Sequence, residues 1–156
     1  MTLRTLNGKE LTDSEISDIS RLVVEVITDA LSTNDRDGLT QCMTPERMRS
    51  KTRDAYCAIY EEDNAIVGFG YLAFRNEGWE IKSMYVSKRG QGIGTQILKA
   101  LEDEAQRRGI TTLFLESLKN DSTLRFYQRN GYATEKEHDY ARGIHCTIMR
   151  KNILGA

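Results

Sequence analysis

The order of apolar and polar residues predicts an α/β (α+β) protein built on one mixed sheet flanked by helices. Two long segments carry apolar residues at helical spacing, one near the N-terminus and one after a glycine-rich turn. Shorter segments rich in β-branched and aromatic residues surround them, which gives the order β-α-α-β-β-β-α-β-α-β-β. Tight turns join many of these strands, so we expect a sheet of about six to seven strands, mostly antiparallel.

The first part of the chain predicts one strand followed by two helices. Thr12 and Glu15 have the spacing of a capping box, and a long apolar stripe at helical period follows them. Thr44-Pro45 fits an N-cap and the first helical position. The predicted elements are a strand at 2–6, a helix at 16–31, a polar loop at 32–43 and a second helix from 44 toward 53.

The middle of the chain predicts three strands and then a helix. The polar residues Glu61 to Asn64 separate the first two strands, which predicts a hairpin with a connection of about four or five residues. A turn at 76–78 leads into the third strand, and Gly109 ends the helix. The predicted elements are strands at 55–60, 66–74 and 80–86 and a helix at 93–105.

The last part of the chain predicts a central strand, a short helix and a final pair of strands. Residues 111–115 are almost continuously apolar, which indicates a buried and parallel strand. Gly131 ends the short helix that follows. If the final strand is exposed, it offers an edge for a homodimer. The predicted elements are a strand at 111–115, a helix at 122–130, strands at 132–136 and 144–149, and a hairpin at 138–143.

The glycine-rich turn from Arg89 to Gly94 lies between a predicted strand and a predicted helix. Glycine lets backbone N–H groups converge without interference from Cβ atoms, and the helix adds its unpaired N–H groups and the positive end of its dipole. The turn therefore predicts a phosphate site. No lysine follows Gly94, as a P-loop requires, and the third glycine of a dinucleotide fingerprint would fall at Thr95.

Three stretches resemble the signatures of the GNAT N-acyltransferase superfamily. The turn Arg89–Gly94 is similar to its acyl-CoA pyrophosphate loop, which is usually written Q/R-x-x-G-x-G/A. Asn120–Tyr132 contains the Asn, Phe-Tyr and Gly of a second signature, with Thr123 in place of the usual alanine. Glu80–Val86 resembles the central strand of the family. The resemblance implies a GNAT-like fold that covers residues 1–156 as a single domain.

The resemblance also implies that pantetheine enters a gap in the sheet beside the glycine-rich turn. The connection from Val86 to Arg89 is shorter than in most of the family, so the register of the strand against pantetheine stays open. Asn120 precedes a helix and could equally be a cap residue. The residues implied to bind acetyl-CoA are Met84, Tyr85, Val86, Arg89, Gly90, Gln91, Gly92, Ile93, Gly94, Thr95 and Asn120.

Two residues are implied to carry the catalysis. Tyr127 matches the general acid of the family, and a phenol is protonated at pH 7 and can donate to a departing thiolate. The alternative interpretation is that Tyr127 is an aromatic residue of the core. Glu80 occupies the position of the glutamate base in some members, and a water chain or a surface carboxylate are the alternatives. The backbone N–H of Met84 is the implied donor to the thioester carbonyl.

Composition excludes several other classes of protein. The 22 basic and 23 acidic residues give a net charge of −1, so we expect no nucleic-acid partner. Cys42, Cys57 and Cys146 lack CxxC spacing and are typical of reduced thiols. His138 and His145 indicate structural or surface roles, and we expect no metal. The chain begins with no signal peptide and contains no apolar run that could cross a membrane, so we expect a cytoplasmic protein.

We therefore expect an acetyl-CoA-dependent N-acetyltransferase that acts on a primary amine of a small molecule, peptide or protein, by direct transfer in a ternary complex. The alternative is a CoA-binding module without activity. A nucleotide-binding protein is disfavoured by the glycine spacings. The sequence does not identify the acceptor amine, although the first two helices and the last hairpin are where the resemblance puts acceptor specificity.

Overall fold

Seven strands form one mixed sheet in the computed structural model, which describes residues 2–30, 43–75, 78–140 and 144–154. The order of the strands across the sheet is β1-β2-β3-β4-β5-β7-β6. The strands are β1 Thr2–Asn7, β2 Tyr56–Glu62, β3 Ala65–Arg75, β4 Gly78–Val86, β5 Thr112–Leu118, β6 Ala133–Tyr140 and β7 Ile144–Asn152. The helices are α1 Asp13–Ala30, α2 Pro45–Thr52, α3 Ile93–Arg107 and α4 Asp121–Arg129, and a short 3-10 turn spans Gly8–Glu10.

The predicted fold class is confirmed, including the parallel strand in the centre of the sheet. Strands β4 and β5 are parallel, and all other pairs of described neighbours are antiparallel. The parallel pairing runs only from Trp79 opposite Leu113 to Ile81 opposite Leu115. Both strands continue beyond this point, to Val86 and Leu118, without pairing with each other. The sheet therefore opens into a gap between β4 and β5.

Helices cover both faces of the sheet, and each face has its own core. On one face, α1 and α2 bury Val23 and Met48 against Phe69 and other residues of β2 and β3. On the other face, α3 buries a stripe that includes Leu101 against Ile81 and its neighbours. Each fully buried side chain of this size contributes about 1.5–3 kcal/mol relative to its exposed state.

The predicted helix caps are confirmed. The Thr12 N–H donates to Glu15 Oε1 at 3.1 Å, and the Glu15 N–H donates to Thr12 Oγ1 at 3.1 Å. Thr44 accepts from the Arg47 N–H at the start of α2. Helix α4 ends just before Gly131, whose φ of 93° lies in the left-handed region that favours glycine.

The predicted long connection between β2 and β3 is wrong. The strands extend to Glu62 and Ala65, which pair with each other, and leave only Asp63 and Asn64 between them. These two residues have φ angles of 52° and 62°. Asp and Asn tolerate this conformation better than other residues that carry a Cβ, so a two-residue hairpin turn forms.

The final strand is not an edge of the sheet. Strand β7 lies between β5 and β6, and the edge of the sheet is β6. Side chains of β6 up to Asp139 are exposed, and Glu137 pairs with Lys119 at 2.9 Å. The predicted route to a homodimer through the final strand is therefore closed by β6.

Three of the predicted loops fall partly or wholly outside the described residues. These are residues 31–42, which include Cys42, residues 76–77 and residues 141–143. Within the ranges that the structure describes, no helix combines the length and the hydropathy needed to cross a membrane.

Candidate functional site

The turn after β4 approaches α3 through two glycines with left-handed backbone. Gly90 has a φ of 78° and Gly92 has a φ of 75°. Residues with a Cβ rarely adopt this conformation, so the local sequence is what allows the turn. The Ser87 N–H donates to the Val67 carbonyl at 2.9 Å, which ties the beginning of the turn to β3.

The N–H groups from Gln91 to Thr95 are open. None of them donates a hydrogen bond to another described residue, and the first bond of α3 is donated by Gln96 to the Gly92 carbonyl at 3.1 Å. Gly92 occupies the N-cap and has no side chain to cap the helix, and the first turn contains no acidic residue. The helix dipole and the unpaired N–H groups favour an anion at this point.

The space in front of the turn is open as well. A Cβ atom built at Gly90 or Gly92 would meet no atom within 4 Å. A Cβ at Gly94 would instead lie 3.2 Å from Cζ of Phe126 and 3.8 Å from Cγ2 of Val86. Gly94 thus allows α3 and α4 to approach closely, while Gly90 and Gly92 leave their side of the turn open to a ligand.

A cavity of about 470 Å³ connects this turn to α4 and the open end of β4. Ligand pockets for small molecules typically have this size. Of the residues predicted to form the site, nine line the cavity, namely Met84, Val86, Arg89, Gly90, Gly92, Ile93, Gly94, Thr95 and Tyr127. Six further residues were not predicted, namely Val26, Lys88, Ser122, Thr123, Phe126 and Arg129.

One of these six residues could have been predicted from the sequence. Thr123 lies one helical turn before Tyr127, so a helix that presents Tyr127 to a ligand presents Thr123 too. Val26 comes from α1, far away in the chain, and no local pattern could have placed it here. Arg89 Nη1 donates to Ser122 Oγ at 3.3 Å and links the turn to the start of α4.

Tyr127 is 8% exposed and reaches the cavity from α4. Its ring makes edge contacts with Phe126 at 5.0 Å and with Tyr132 at 6.0 Å between centroids. Among the residues described, none forms a hydrogen bond with its hydroxyl. Burial raises the pKa of Tyr127, so the phenol keeps its proton at neutral pH. The residue can therefore donate a proton into the cavity.

Asn120 is the N-cap of α4. Its Oδ1 accepts from the Ser122 N–H at 3.0 Å and from the Thr123 N–H at 3.3 Å. The cap interpretation of the sequence is confirmed, and Asn120 is not among the residues that line the cavity. Gln91 also lies outside the lining and is exposed.

A β-bulge interrupts β4 where it borders the cavity. In the register with β3, Tyr71 pairs with Lys82 and Phe69 with Tyr85, so Ser83 and Met84 together face only Gly70. Ser83 has a φ of 54°, as the first residue of a bulge often has. Neither the β3 register nor the β5 register includes Met84, so its backbone lies at the opening of the gap.

Glu80 lies on the face of the sheet that α1 and α2 cover, opposite the face that α3 covers. It pairs with Ala73, is 3% exposed and lies with its Oε1 3.8 Å from Arg75 Nε. Burial raises the pKa of Glu80, with Lys82 and Arg75 acting in the opposite direction. A surface carboxylate is therefore excluded, and the site has a buried carboxyl group with a raised pKa.

Tyr85 is the other predicted site residue whose side chain is on this second face. It packs against the core of α1 and α2, and burial raises its pKa to about 12. The turn and Tyr127 are thus on one side of the sheet, and Glu80 and Tyr85 are on the other. The gap between β4 and β5 is where the two sides meet.

Among the described cysteines and histidines, none lines the cavity. Cys57 and Cys146 are buried, which raises the pKa of their thiols to about 12 and about 11. Thiols with such pKa values are protonated at neutral pH and are poor nucleophiles. His145 Nδ1 lies 2.6 Å from Asp139 Oδ1 at the exposed end of β7. The described ranges contain no group of three side chains that could hold a metal ion.

Comparison with protein families gives one match over most of the chain. The model of the acetyltransferase (GNAT) domain matches residues 23–153. Acetyltransferase Atu2258 of Agrobacterium fabrum is 33% identical over 86 residues, which are 53% of this chain and 61% of that protein. IAA acetyltransferase of Azospirillum brasilense is 34% identical over 80 residues, 48% of this chain and 52% of that protein. The chain thus spans about half to three-fifths of the relatives that it matches.

Solved structures share the fold at low sequence identity. The PaiA N-acetyltransferase from Thermoplasma acidophilum, in complex with coenzyme A, superposes with a TM-score of 0.76 and 17% identity, over 97% of this chain and 99% of that chain. An aminoglycoside 6'-acetyltransferase type Ii gives a TM-score of 0.71 and 20% identity over 100% and 99% of the two chains. Escherichia coli ElaA gives a TM-score of 0.74 and 16% identity, over 97% of this chain and 100% of that chain.

Proposed function

Since the chain belongs to the GNAT acetyltransferase family, we propose that it is an N-acetyltransferase that moves the acetyl group of acetyl-CoA to a primary amine. The acceptor is a small molecule or a peptide, and transfer occurs directly while both substrates are bound. The observation that carries this proposal is the cavity that extends from the open N–H groups of Gly92–Thr95 to Tyr127.

The turn after β4 fits the diphosphate of the donor. Its N–H groups supply several donors at one point, and Gly90 and Gly92 leave room for the phosphates in front of them. Arg89 begins the turn and adds a positive charge, held near α4 by its bond to Ser122. When bound, acetyl-CoA supplies an acetyl thioester that an amine can attack.

Two groups at the open end of β4 and on α4 would act on the thioester. The N–H of Met84, at the bulge, has no partner in the sheet registers and would donate to the carbonyl oxygen as negative charge develops there. Tyr127 would donate its phenolic proton to the sulfur that leaves. Its raised pKa keeps the proton in place until a thiolate forms.

The amine must lose a proton before it attacks. An amine with a pKa near 10.4 is neutral in only about one molecule in 2,500 at pH 7, a penalty of about 4.6 kcal/mol. Glu80 would accept this proton from the α1 side of the gap, directly or through a water chain. Burial raises its pKa toward the range in which a carboxylate is an effective base.

Release of free thiol from acetyl-CoA, measured with a panel of amines, peptides and aminoglycosides, tests the proposal. We expect micromolar binding of CoA by calorimetry and thiol release with at least one acceptor. A protein that binds CoA and releases no thiol with any acceptor would be a CoA-binding module. A protein that binds neither CoA nor acetyl-CoA below millimolar concentration would contradict both assignments.

A further inference from the structure

Lys82 lies at the opening of the gap between β4 and β5. The last paired residues of these strands are Ile81 and Leu115, so Lys82 is the first residue of β4 beyond the pairing. Its side chain alternates to the same face as Glu80, the face that α1 and α2 cover. Glu116 follows Leu115 on β5 and has the same orientation.

The side chain of Lys82 is half-buried, and its positive charge is not paired with a carboxylate in the described ranges. It forms neither a hydrogen bond nor an ion pair with any residue in the described ranges. Burial lowers the pKa of Lys82, and Arg75 adds to this effect, whereas Glu80 and Glu116 act against it. A half-buried lysine with a lowered pKa has a larger neutral fraction at pH 7–8 than a lysine on the surface.

Lys82 is also close to the bulge that would hold the thioester carbonyl. It precedes Met84 by two residues, a span of about 7 Å along a strand. The four-carbon stem of a lysine has a similar length and rotates freely. The side chain of Lys82 is therefore long enough to bring Nζ toward the Met84 N–H, beside which the thioester carbonyl would lie.

We propose that Lys82 is an internal acceptor, which the protein acetylates on Nζ when acetyl-CoA is bound and no external amine occupies the gap. The proposal rests on the proposed function, because it uses the same donor and the same gap. It adds a modification site, and it makes acetylation of Lys82 a competitor of acceptor turnover.

The step uses only groups already present. The neutral Nζ attacks the carbonyl carbon, a C–N bond forms, and the bond between that carbon and the CoA sulfur breaks. The nitrogen loses a second proton to Glu80 or Glu116, and the leaving thiolate takes a proton from Tyr127. The products are acetyl-Lys82 and free CoA, so no oxidant or further reactant is needed.

Peptide mapping by mass spectrometry after incubation of the protein with acetyl-CoA alone tests the inference. We expect a gain of one acetyl group on the peptide that contains Lys82, at least tenfold faster than on any other lysine. Lys99 is the reference, since it is an exposed lysine of α3 that makes only a long i,i+4 contact with Asp103. The rate constant should not change with protein concentration, because the reaction is intramolecular.

Two variants sharpen the result. In Lys82→Arg the acetyl group should be absent while the affinity for acetyl-CoA stays within twofold, and Lys99→Arg should behave as the wild type. Saturating amounts of an accepted amine should slow the labelling of Lys82 at least fivefold. A protein that turns over amines but leaves Lys82 unmodified, or labels Lys99 equally fast, would overturn this inference and leave the proposed function intact. If the protein binds no acetyl-CoA, the result contradicts the proposed function itself.

Discussion

The rings of Tyr127 and Tyr132 lie 6.0 Å apart at an angle of 74°, yet only Tyr127 lines the cavity. The hydroxyl of Tyr132 donates to Glu102 Oε2 at 2.8 Å, whereas the hydroxyl of Tyr127 has no partner among the described residues. Burial raises the pKa of both phenols. The two residues thus provide a matched pair, in which the same substitution tests a proton donor and a structural tyrosine.

Tyr127→Phe should lower kcat at least tenfold with little change in the affinity for acetyl-CoA. The substitution removes the proton donor and keeps the ring that packs against Phe126. Steady-state kinetics together with calorimetry of CoA binding measure the two effects. Tyr132→Phe is the control, and we expect normal kcat with a loss of stability of about 1 kcal/mol. Normal turnover in Tyr127→Phe would end the assignment of the acid.

Gly92→Ala should weaken the binding of CoA at least tenfold. The new Cβ would stand in open space in front of the N–H groups, where we propose that the diphosphate binds. The left-handed φ of 75° also adds strain of about 1–2 kcal/mol. Calorimetry of CoA binding and urea denaturation separate these two effects.

Gly109→Ala is the matched control for the glycine-rich turn. Gly109 follows α3 at its other end, has a φ of 74°, and would also place its Cβ in open space. We expect it to lose the same stability as Gly92→Ala and to bind CoA like the wild type. Equal loss of CoA affinity in both variants would show that strain in α3 explains the effect, and the phosphate site would have to be abandoned.

Glu80→Gln should lower kcat/KM at least tenfold at pH 7 and remove the acid limb of its pH profile. Activity of the wild type should rise with pH through the folded-state pKa of Glu80, which lies above 4.5, because only the carboxylate accepts a proton. If the acid limb of the pH profile is the same in Glu80→Gln as in the wild type, another group is the base.

The raised pKa of Glu80 also predicts how the stability of the protein changes with pH. A carboxyl group whose pKa is raised by folding holds its proton more tightly in the folded state than in the unfolded state. Its contribution is fully present below the unfolded value of about 4.3 and is lost as the pH rises through the folded value. Urea titrations should show the wild type losing stability relative to Glu80→Gln across that window. A difference that does not change with pH would contradict the buried carboxyl.

Arg89→Met should weaken CoA binding several-fold and reduce its dependence on salt. Arg89 lines the cavity at the start of the turn, and an exposed cation attracts phosphate less as ionic strength increases. Arg125→Met is the control, because Arg125 lies on α4, does not line the cavity and bonds the carbonyl of Asp121. Calorimetry of CoA binding at two salt concentrations measures this dependence in each variant. Identical salt dependence in wild type and Arg89→Met would exclude contact with phosphate.

The glycine-rich turn and the helices could be predicted because their signals are local. The capping box at Thr12, the proline at the start of α2 and the apolar stripe of α3 each determine structure within a few residues. The parallel strand β5 could be predicted from its apolar run, in which Leu113 and Leu115 are buried in the core that α3 covers. The resemblance then correctly indicated the gap beside β4.

The bulge and the partition of the site between two faces could not be predicted. Ser83 is not a residue that favours left-handed backbone, and its conformation follows from pairing with β3 across the sheet. Glu80 is buried on the face of the sheet that α1 and α2 cover, and these helices come from a different part of the chain. Contacts of this kind depend on tertiary packing and leave no periodic pattern in the sequence.

The edge strand β6 has a consequence for the protein at high concentration. Its exposed stretch contains Glu135, Glu137 and Asp139, and Arg150 and Lys119 neutralise two of them within the same molecule. Charged side chains along an edge strand disfavour the addition of a strand from a second copy, which opposes fibril-like growth from this side.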